Sequence, residues 1–435
     1  MITEENKKVN SLLSRLDHEQ RALSRRDDRY RGRHVLRYAT TDIEGDLSTF
    51  GVNICALAVD AVAERMRIKR FGVLVGGRDV TERVRRSWYR SNMDQKLMPV
   101  LVDALALGAV YLVVWPDAPG DPLISPESAR NVVCEFDPVT GEVTGAVKRW
   151  AETEANGTVS REHVIYYGPD VIRRYTRAPG SAVLDPVDGG EVENPLGVVP
   201  VVPMLNVERI GDQRGTSVID DLAHLVDALG KLLADMLVAS EDVARPRRWA
   251  TGVELDDDDL DDGFTADDML DDDERDYLDD VAPAVSPFDS GNRMFTVESP
   301  EAKFGQLPGA DLAGYRTGVD LLTQQIMAVS ALPAHMVGIT TANPSSADAI
   351  RAAEASLTAR AESRISVLGI AIEQALALAA AFTEHVHPRD VEVKLRWASP
   401  ATRSTAQEAD AVTKLFSLGI ITTEEAREYM GVTEL

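Results

Sequence analysis

Cysteine is nearly absent. Only Cys55 and Cys134 occur in 435 residues, too few for a disulfide framework and in keeping with a reducing compartment. Positive charge is scarce too: 46 Lys and Arg face 71 Asp and Glu, a formal net charge of −25. A chain this acidic is poorly suited to coating nucleic acid by counterion release. Long apolar runs are missing. The longest uncharged one, Ala104 to Trp115, falls short of the roughly 20 residues that span a bilayer. Residues Met1 to Lys8 carry no apolar signal core, so secretion and membrane insertion are both disfavoured.

Several catalytic signatures are lacking. There is no G-x-x-x-x-G-K-[ST] loop; Gly72-Val73-Leu74-Val75-Gly76-Gly77 has neither the lysine nor the following hydroxyl residue. Gly215-Thr216-Ser217-Val218-Ile219 lacks the second glycine of a nucleophile elbow. The seven histidines form no H-E-x-x-H. His385 and His387 would point to different faces of a helix, and no cysteine lies near, so they read as an exposed surface pair.

What is present is enough apolar residue, 44%, to build a sizeable core, and length for about two to four structural units. The chain reads as α+β and mainly helical. The first 40 residues suit a surface helix bearing Leu12, Leu16 and Leu23. Seven arginines crowd residues 21–37 around Tyr30. They could form a nucleic-acid patch, but a solvated helix face with local ion pairs is favoured. Helices are expected at 47–66, 80–90 and 94–107, the first buried because it is mostly apolar. Val-, Ile- and Tyr-rich segments at 110–115, 131–136, 142–150, 163–167 and 171–176, with Pro- and Gly-bearing turns between them, predict an antiparallel meander. Residues 178–200 read as an extended loop.

Residues 217–244 carry the clearest periodicity. Val218, Leu222, Leu225, Leu229, Leu232 and Met236 step by three and four, giving a coiled-coil type seam on a helix of roughly 42 Å. Ile219, Val226, Leu233 and Leu237 form a second apolar stripe, so the helix needs partners on more than one side. A similar seam, Leu312, Tyr315, Val319, Leu322 and Ile326, predicts a second helix over 311–332 that Pro333 ends. Two such rods are expected to pack side by side, with the segment between them projecting from one end.

That segment is acidic. Glu254 to Asp280 holds 16 Asp and Glu against Arg275. Asp259, Asp261 and Gly263 place glycine one position too early for an EF-hand loop, with Phe264 where the turn glycine belongs. A solvated acidic loop is the better reading. After Pro333 comes a connection, 334–344. Ser345, with Asp348 as capping-box partner, is expected to open an Ala-rich helix to about 382 that Gly369 could kink. A strand at 391–397 and two short helices, 404–417 and 423–430, follow; Thr422 and Glu425 are expected to cap the last.

Several stretches, in collinear order, resemble the portal, or head-to-tail connector, proteins of tailed double-stranded-DNA bacteriophages. They are Tyr30-x-Gly32-x-His34-x-Leu36; Asn53 to Arg65; Asp103 to Val114; Val202-Pro203-x-x-Asn206 with Gly215-Thr216-Ser217; Asn343 to Glu354; and Trp397-x-x-Pro400 with Gln407 to Leu415. The Asp-rich stretch is a departure from that pattern.

The resemblance implies a portal-type subunit: an α/β wing (1–215), stem helices 216–245 and 310–332, a clip (246–309) with the acidic stretch 254–280, a tunnel loop (333–344), a long helix and returning strand (345–398) belonging to the wing, and crown helices (399–435). His335, Thr340, Thr341 and Asn343 become candidates to face DNA, and Asp256, Asp257, Asp258 and Asp259 form an acidic clip patch. The implied partners are sister copies in a dodecameric ring, the terminase large subunit, head-tail adaptor proteins, and the major capsid and scaffolding proteins. Double-stranded DNA would pass without sequence-specific contact. No catalytic residue, cofactor, metal or membrane is implied. The expected location is the capsid portal vertex, with host cytoplasm during assembly. Two readings compete: an acid-based metal-dependent nuclease, and a monomeric adaptor using the C-terminal helix pair to read DNA.

Overall fold

A computed structural model describes residues 4–33, 51–118, 121–154, 157–244, 248–251, 303–306, 312–339, 346–401, 405–423 and 426–427. The chain divides into two compact units, one built from 1–231 with 319–435, the other from 232–318.

In the larger unit, helix α1 (Glu4–Tyr30) is no loosely attached surface helix. Val9, Leu12, Leu13 and Leu16 are buried with Val147, Val164, Tyr166 and Tyr175 of a sheet. The apolar positions recur at helical spacing and so form one stripe, which the sheet covers. Gly32, at φ +66°, turns the chain after α1.

Helix α2 (Ile54–Ala63) is capped by Asn53, whose side-chain oxygen accepts the Ala56 N–H. Seven of its ten residues are buried, as its composition requires. Strands β1 (Ile68–Val75) and β2 (Arg78–Asp79) follow, then helices α3 (Thr81–Arg90) and α4 (Met93–Leu107). Polar residues interrupt β1 (IKRFGVLV), which hid it from the hydrophobic pattern.

The predicted meander is present but starts later than expected. Strands β3 (Ala109–Ala118) and β4 (Asp121–Ser128) pair with β10 (Val201–Leu205) in a separate sheet ordered β10-β3-β4. The meander proper has five strands: β5 (Val132–Phe136), β6 (Val143–Thr153), β7 (Val159–Tyr167), β8 (Val171–Arg177) and β9 (Asp185–Glu193). Strand β9 corrects the loop reading of 178–200. Its sequence, DPVDGGEVE, is almost wholly exposed and has no apolar alternation to announce it; pairing with β8 makes it a strand.

Helix α5 (Ala223–Ala244) begins six residues later than its seam suggested. The Ser217 hydroxyl donates to the Ala106 carbonyl, and Val218 N–H donates to the Leu105 carbonyl at 3.0 Å. These bonds hold 217–218 against the end of α4 and keep them out of a helical ladder. The helix is therefore about 33 Å long. In the smaller unit, β11 (Arg248–Thr251) pairs antiparallel with β12 (Lys303–Gln306), which brings the two ends of the intervening segment together. That pairing was not foreseen.

Helix α6 (Ala313–Ser330) ends before Pro333, with Ala331 at φ +60°. A 3-10 turn, Ala334–Val337, follows. Helix α7 (Ala347–Glu384) is capped by Ser346, whose oxygen accepts the Ala349 N–H, one residue later than the expected start at Ser345, which lies outside the described residues together with the Asp348 side chain. Gly369 lies within the continuous helix; a β-carbon there would stand 3.3 Å from the Trp397 indole nitrogen, so the glycine makes room for that ring. Helix α7 is long and apolar enough to cross a membrane by length and composition. However, 61% of its most apolar window is buried inside the protein. Glu373 interrupts that window, so counting uncharged runs missed it. Its neighbours in space include strand β13 (Val391–Trp397), which pairs with β1. Helix α8 (Thr405–Ser417) comes last.

Candidate functional site

Three places in the fold gather the residues singled out in the sequence. The first is a backbone junction. Asn206 N–H donates to the Gly108 carbonyl at 2.9 Å, and Thr216 N–H donates to the Asn206 carbonyl at 2.8 Å. The Asn206 amide also donates to the Thr216 carbonyl at 2.6 Å. Gly108 and Gly215 both have positive φ, +94° and +72°. The stretches Asp103 to Val114, Val202 to Asn206 and Gly215 to Ser217, far apart in sequence, thus form one structure.

The second place is the pair of seamed helices. Val218, Leu222 and Leu229 are buried, Leu225, Leu232 and Met236 partly so. The second stripe needs correcting: Ile219 and Val226 are 0% and 2% exposed within this one chain, so no neighbour is required there. Only its far end, Leu237 with the adjacent Val238, stays exposed. On the other helix Ile326 is buried, while Leu312, Tyr315, Val319 and Leu322 are half-buried. Within the smaller unit the two helices approach at Gly318, where a β-carbon would stand 2.8 Å from Leu232 Cδ2. The lack of a side chain at Gly318 permits that approach.

The third place is the start of the α6–α7 connection. His335 lies in the 3-10 turn, and its Nε2 is 3.4 Å from Glu354 Oε1 on α7. Arg65, just beyond α2, reaches the other oxygen at 3.1 Å. Glu354 is 8% exposed and Arg65 13%, so this is a largely desolvated pair with a histidine on its open side. Nearly two turns further along α7, Arg360 donates to the Val329 carbonyl at 2.8 Å. Burial and the neighbouring Arg364 lower the Arg360 pKa. Arg364 in turn pairs with Glu208. Arg65 and Glu354 each end a stretch quoted above, yet neither had a role in the sequence reading; a lone charge in an amphipathic stretch gives no sign of its partner. Thr340, Thr341 and Asn343 lie outside the described residues, as do Asp256, Asp257, Asp258, Asp259 and the loop compared with an EF-hand.

Three arginines at the end of α1 and just beyond it form intramolecular pairs. Arg26 meets Asp220, Arg31 meets Asp27, and Arg29 grips Asp227 through two 2.8 Å bonds. The Tyr30 hydroxyl donates to Asp60 at 2.9 Å. His385 caps α7 and His387 accepts the Arg389 N–H, both exposed. Among the described residues no group of three or more His, Cys, Asp or Glu could hold a metal ion.

The profile of the family described as "Phage portal protein, SPP1 Gp6-like" matches residues 10–434. This chain belongs to that portal family. It is 30% identical over 391 residues to the portal protein of Mycobacterium phage D29, covering 86% of this chain and 75% of the relative. Against the portal protein of Mycobacterium phage L5 it is 29% identical over 388 residues, covering 86% and 74%. Among solved structures, it is similar to a chain of the virion of a native gene transfer agent particle, with TM-score 0.45, 14% identity and coverage of 88% and 89%. A chain from the neck of that particle, computed with C12 symmetry, gives TM-score 0.43 at 15% identity, again covering 88% and 89%. The role of a portal protein is structural, and the nuclease and DNA-reader alternatives draw no support from these matches. The collinear stretches that carried the resemblance fall inside the matched region.

Proposed function

We propose that this portal chain closes into a dodecameric ring at one capsid vertex, a conduit through which double-stranded DNA is packaged and ejected. The observation that supports ring closure is apolar surface left uncovered on the long helices. Leu321 on α6 is 57% exposed and Ile370 on α7 55%. Single exposed apolar residues are ordinary, but here Val329 on α6 and Leu237 and Val238 on α5 join them. In a closed ring each copy presents the same faces to its neighbours, so one sequence can cover all such surfaces.

The parts follow the family plan: wing 1–215 with 345–398, stem 216–245 and 310–332, clip 246–309, tunnel loop 333–344, crown 399–435. His335, Thr340, Thr341 and Asn343 face the passing duplex. The acidic clip, with Asp256 to Asp259, docks the terminase large subunit and then the head-tail adaptors through charge complementarity. Major capsid and scaffolding proteins surround the wing. Net negative charge on a conduit wall keeps DNA from adhering, over a range of about 8 Å at physiological salt.

Purified full-length chain tests this reading by native mass measurement and end-on imaging. A closed ring with a central hole is expected, and Leu321→Asp should shift material toward single copies without altering the helical circular-dichroism spectrum. A monomer at every concentration, with Leu321→Asp indistinguishable from the parent, would overturn it.

A further inference from the structure

The two faces of the five-stranded meander are covered unequally. Val147, Val164, Tyr166 and Tyr175 lie on the face that α1 covers. Alternate residues along each strand point the other way. At one end of that second face, Ala146, Tyr167 and Ile172 are buried with Tyr111, Val113 and Val201 of the sheet ordered β10-β3-β4. The other end is open, a groove of about 620 Å³.

The strand register lays out the open end. Lys148, Ile165 and Arg174 stand in one cross-strand row, Trp150, His163 and Thr176 in the next, and Glu152 with Arg161 in a third. The Trp150 and His163 rings stack, 5.0 Å apart and 11° from parallel. Trp150 is still 39% exposed, and Val187, also on the groove wall, 40%.

Charge separates the two faces as well. On the α1 side, Arg149 pairs with Asp17, Arg173 with Glu5 and Glu191, and Arg177 with Glu162. On the open side, Lys148 is taken by Glu127 and His163 by Glu152. Arg161 and Arg174 differ from all of these. Both are exposed, and among the described residues neither guanidinium has an ion pair or hydrogen bond. In a chain of net charge −25, two cations beside an apolar surface are left without an acid from their own chain.

Their spacing constrains what fits. Arg161 and Ile165 are four residues apart on β7, and Arg174 stands opposite Ile165 on β8. At about 3.4 Å per residue and about 4.8 Å between strands, the two arginine backbones are roughly 14 Å apart. The Trp150–His163 row crosses between them. An extended segment covers about the same distance in four residues, and its positions i, i+2 and i+4 face one way.

We propose that this open face docks an extended acidic segment of another protein, with the pattern acid-x-apolar-x-acid. The outer carboxylates meet Arg161 and Arg174, and the central apolar side chain rests on the Trp150–His163 stack beside Val187. Over the same 14 Å, duplex DNA would bring about eight phosphates to two cations, so charge complementarity favours the acidic segment. The face lies wholly within the larger unit, and docking there does not require ring closure.

The probe is a fluorescein-labelled peptide with aspartate, phenylalanine and aspartate at alternate positions and serine between them, titrated into the full-length protein and read by anisotropy. Expected are salt-sensitive binding and a loss of about tenfold or more in the Arg161→Glu, Arg174→Glu double variant. The same peptide with asparagine for aspartate should bind at least about tenfold more weakly to the unaltered protein, an arm that does not depend on any variant folding. Equal binding of the asparagine peptide, full affinity in the double variant, competition by duplex DNA as effective as by unlabelled peptide, or no binding at all would overturn the proposal. So would a double variant whose copies no longer associate while the parent's do, since that assigns the face to a sister copy.

Discussion

A β-carbon on Gly215 would stand 1.9 Å from the carbonyl oxygen of Gly108. Two backbones meet there with no space for a side chain, and Gly215 also sits at φ +72°. Gly215→Ala should therefore cost roughly 3 kcal/mol or more in unfolding stability, from strain and displaced backbone together. Gly318→Ala is the informative contrast. Its β-carbon meets only the flexible end of Leu232, and alanine gains about 1 kcal/mol over glycine inside a helix. It should be near neutral in chemical denaturation, whereas Gly318→Leu should destabilise by forcing α5 and α6 apart.

Asp227 is fully buried and held by Arg29 through two hydrogen bonds. Removing one member strands the other charge. Arg29→Ala or Asp227→Ala should each lower stability by about 3–5 kcal/mol. Replacing both with apolar residues should cost much less than the sum, measurable in a urea-unfolding cycle.

Glu354 joins the turn that carries His335 to Arg65. Glu354→Ala should destabilise by roughly 3 kcal/mol, because Arg65 loses its partner in a largely desolvated setting. His335→Ala should cost well under about 1 kcal/mol, since that ring is far more exposed. A double-mutant cycle between Arg65 and Glu354 should return a coupling of at least about 1 kcal/mol, and one between His335 and Glu354 close to none.

Tyr30 gives a pH signature. Burial and the hydrogen bond to Asp60 push its phenol up to about 12. The folded form then keeps a proton that the unfolded chain releases near pH 10, so this stability is intact below about pH 10 and is lost as pH rises toward 12. Buried Tyr111 and Tyr167 are pushed up in the same direction. Tyr30→Phe should flatten the alkaline fall in melting temperature and lower stability at neutral pH by about 1 kcal/mol.

Where a local rule decides the outcome, the sequence was enough. The 391–397 strand alternates in burial along its whole length, and α2, α4 and the meander follow from composition, spacing and turn residues. The family was legible for the same reason: its short stretches keep their order even where each is weak. Strands β1 and β9 were invisible because pairing, not hydrophobic alternation, makes them strands. The seam through Val218 and Leu222 did not reveal that hydrogen bonds to α4 delay the helix.

Sequence by itself determined the apolar periods, the acid excess, the helix stop at Pro333, and family membership, since all of these depend on neighbours within a few residues or on collinear order. Only the tertiary structure decided which charges pair, such as Arg65 with Glu354 and Arg29 with Asp227, and which apolar faces one copy covers unaided. Those choices join residues from 198 to nearly 290 positions apart; no spacing along the chain encodes a contact that exists only once the backbone has folded back on itself.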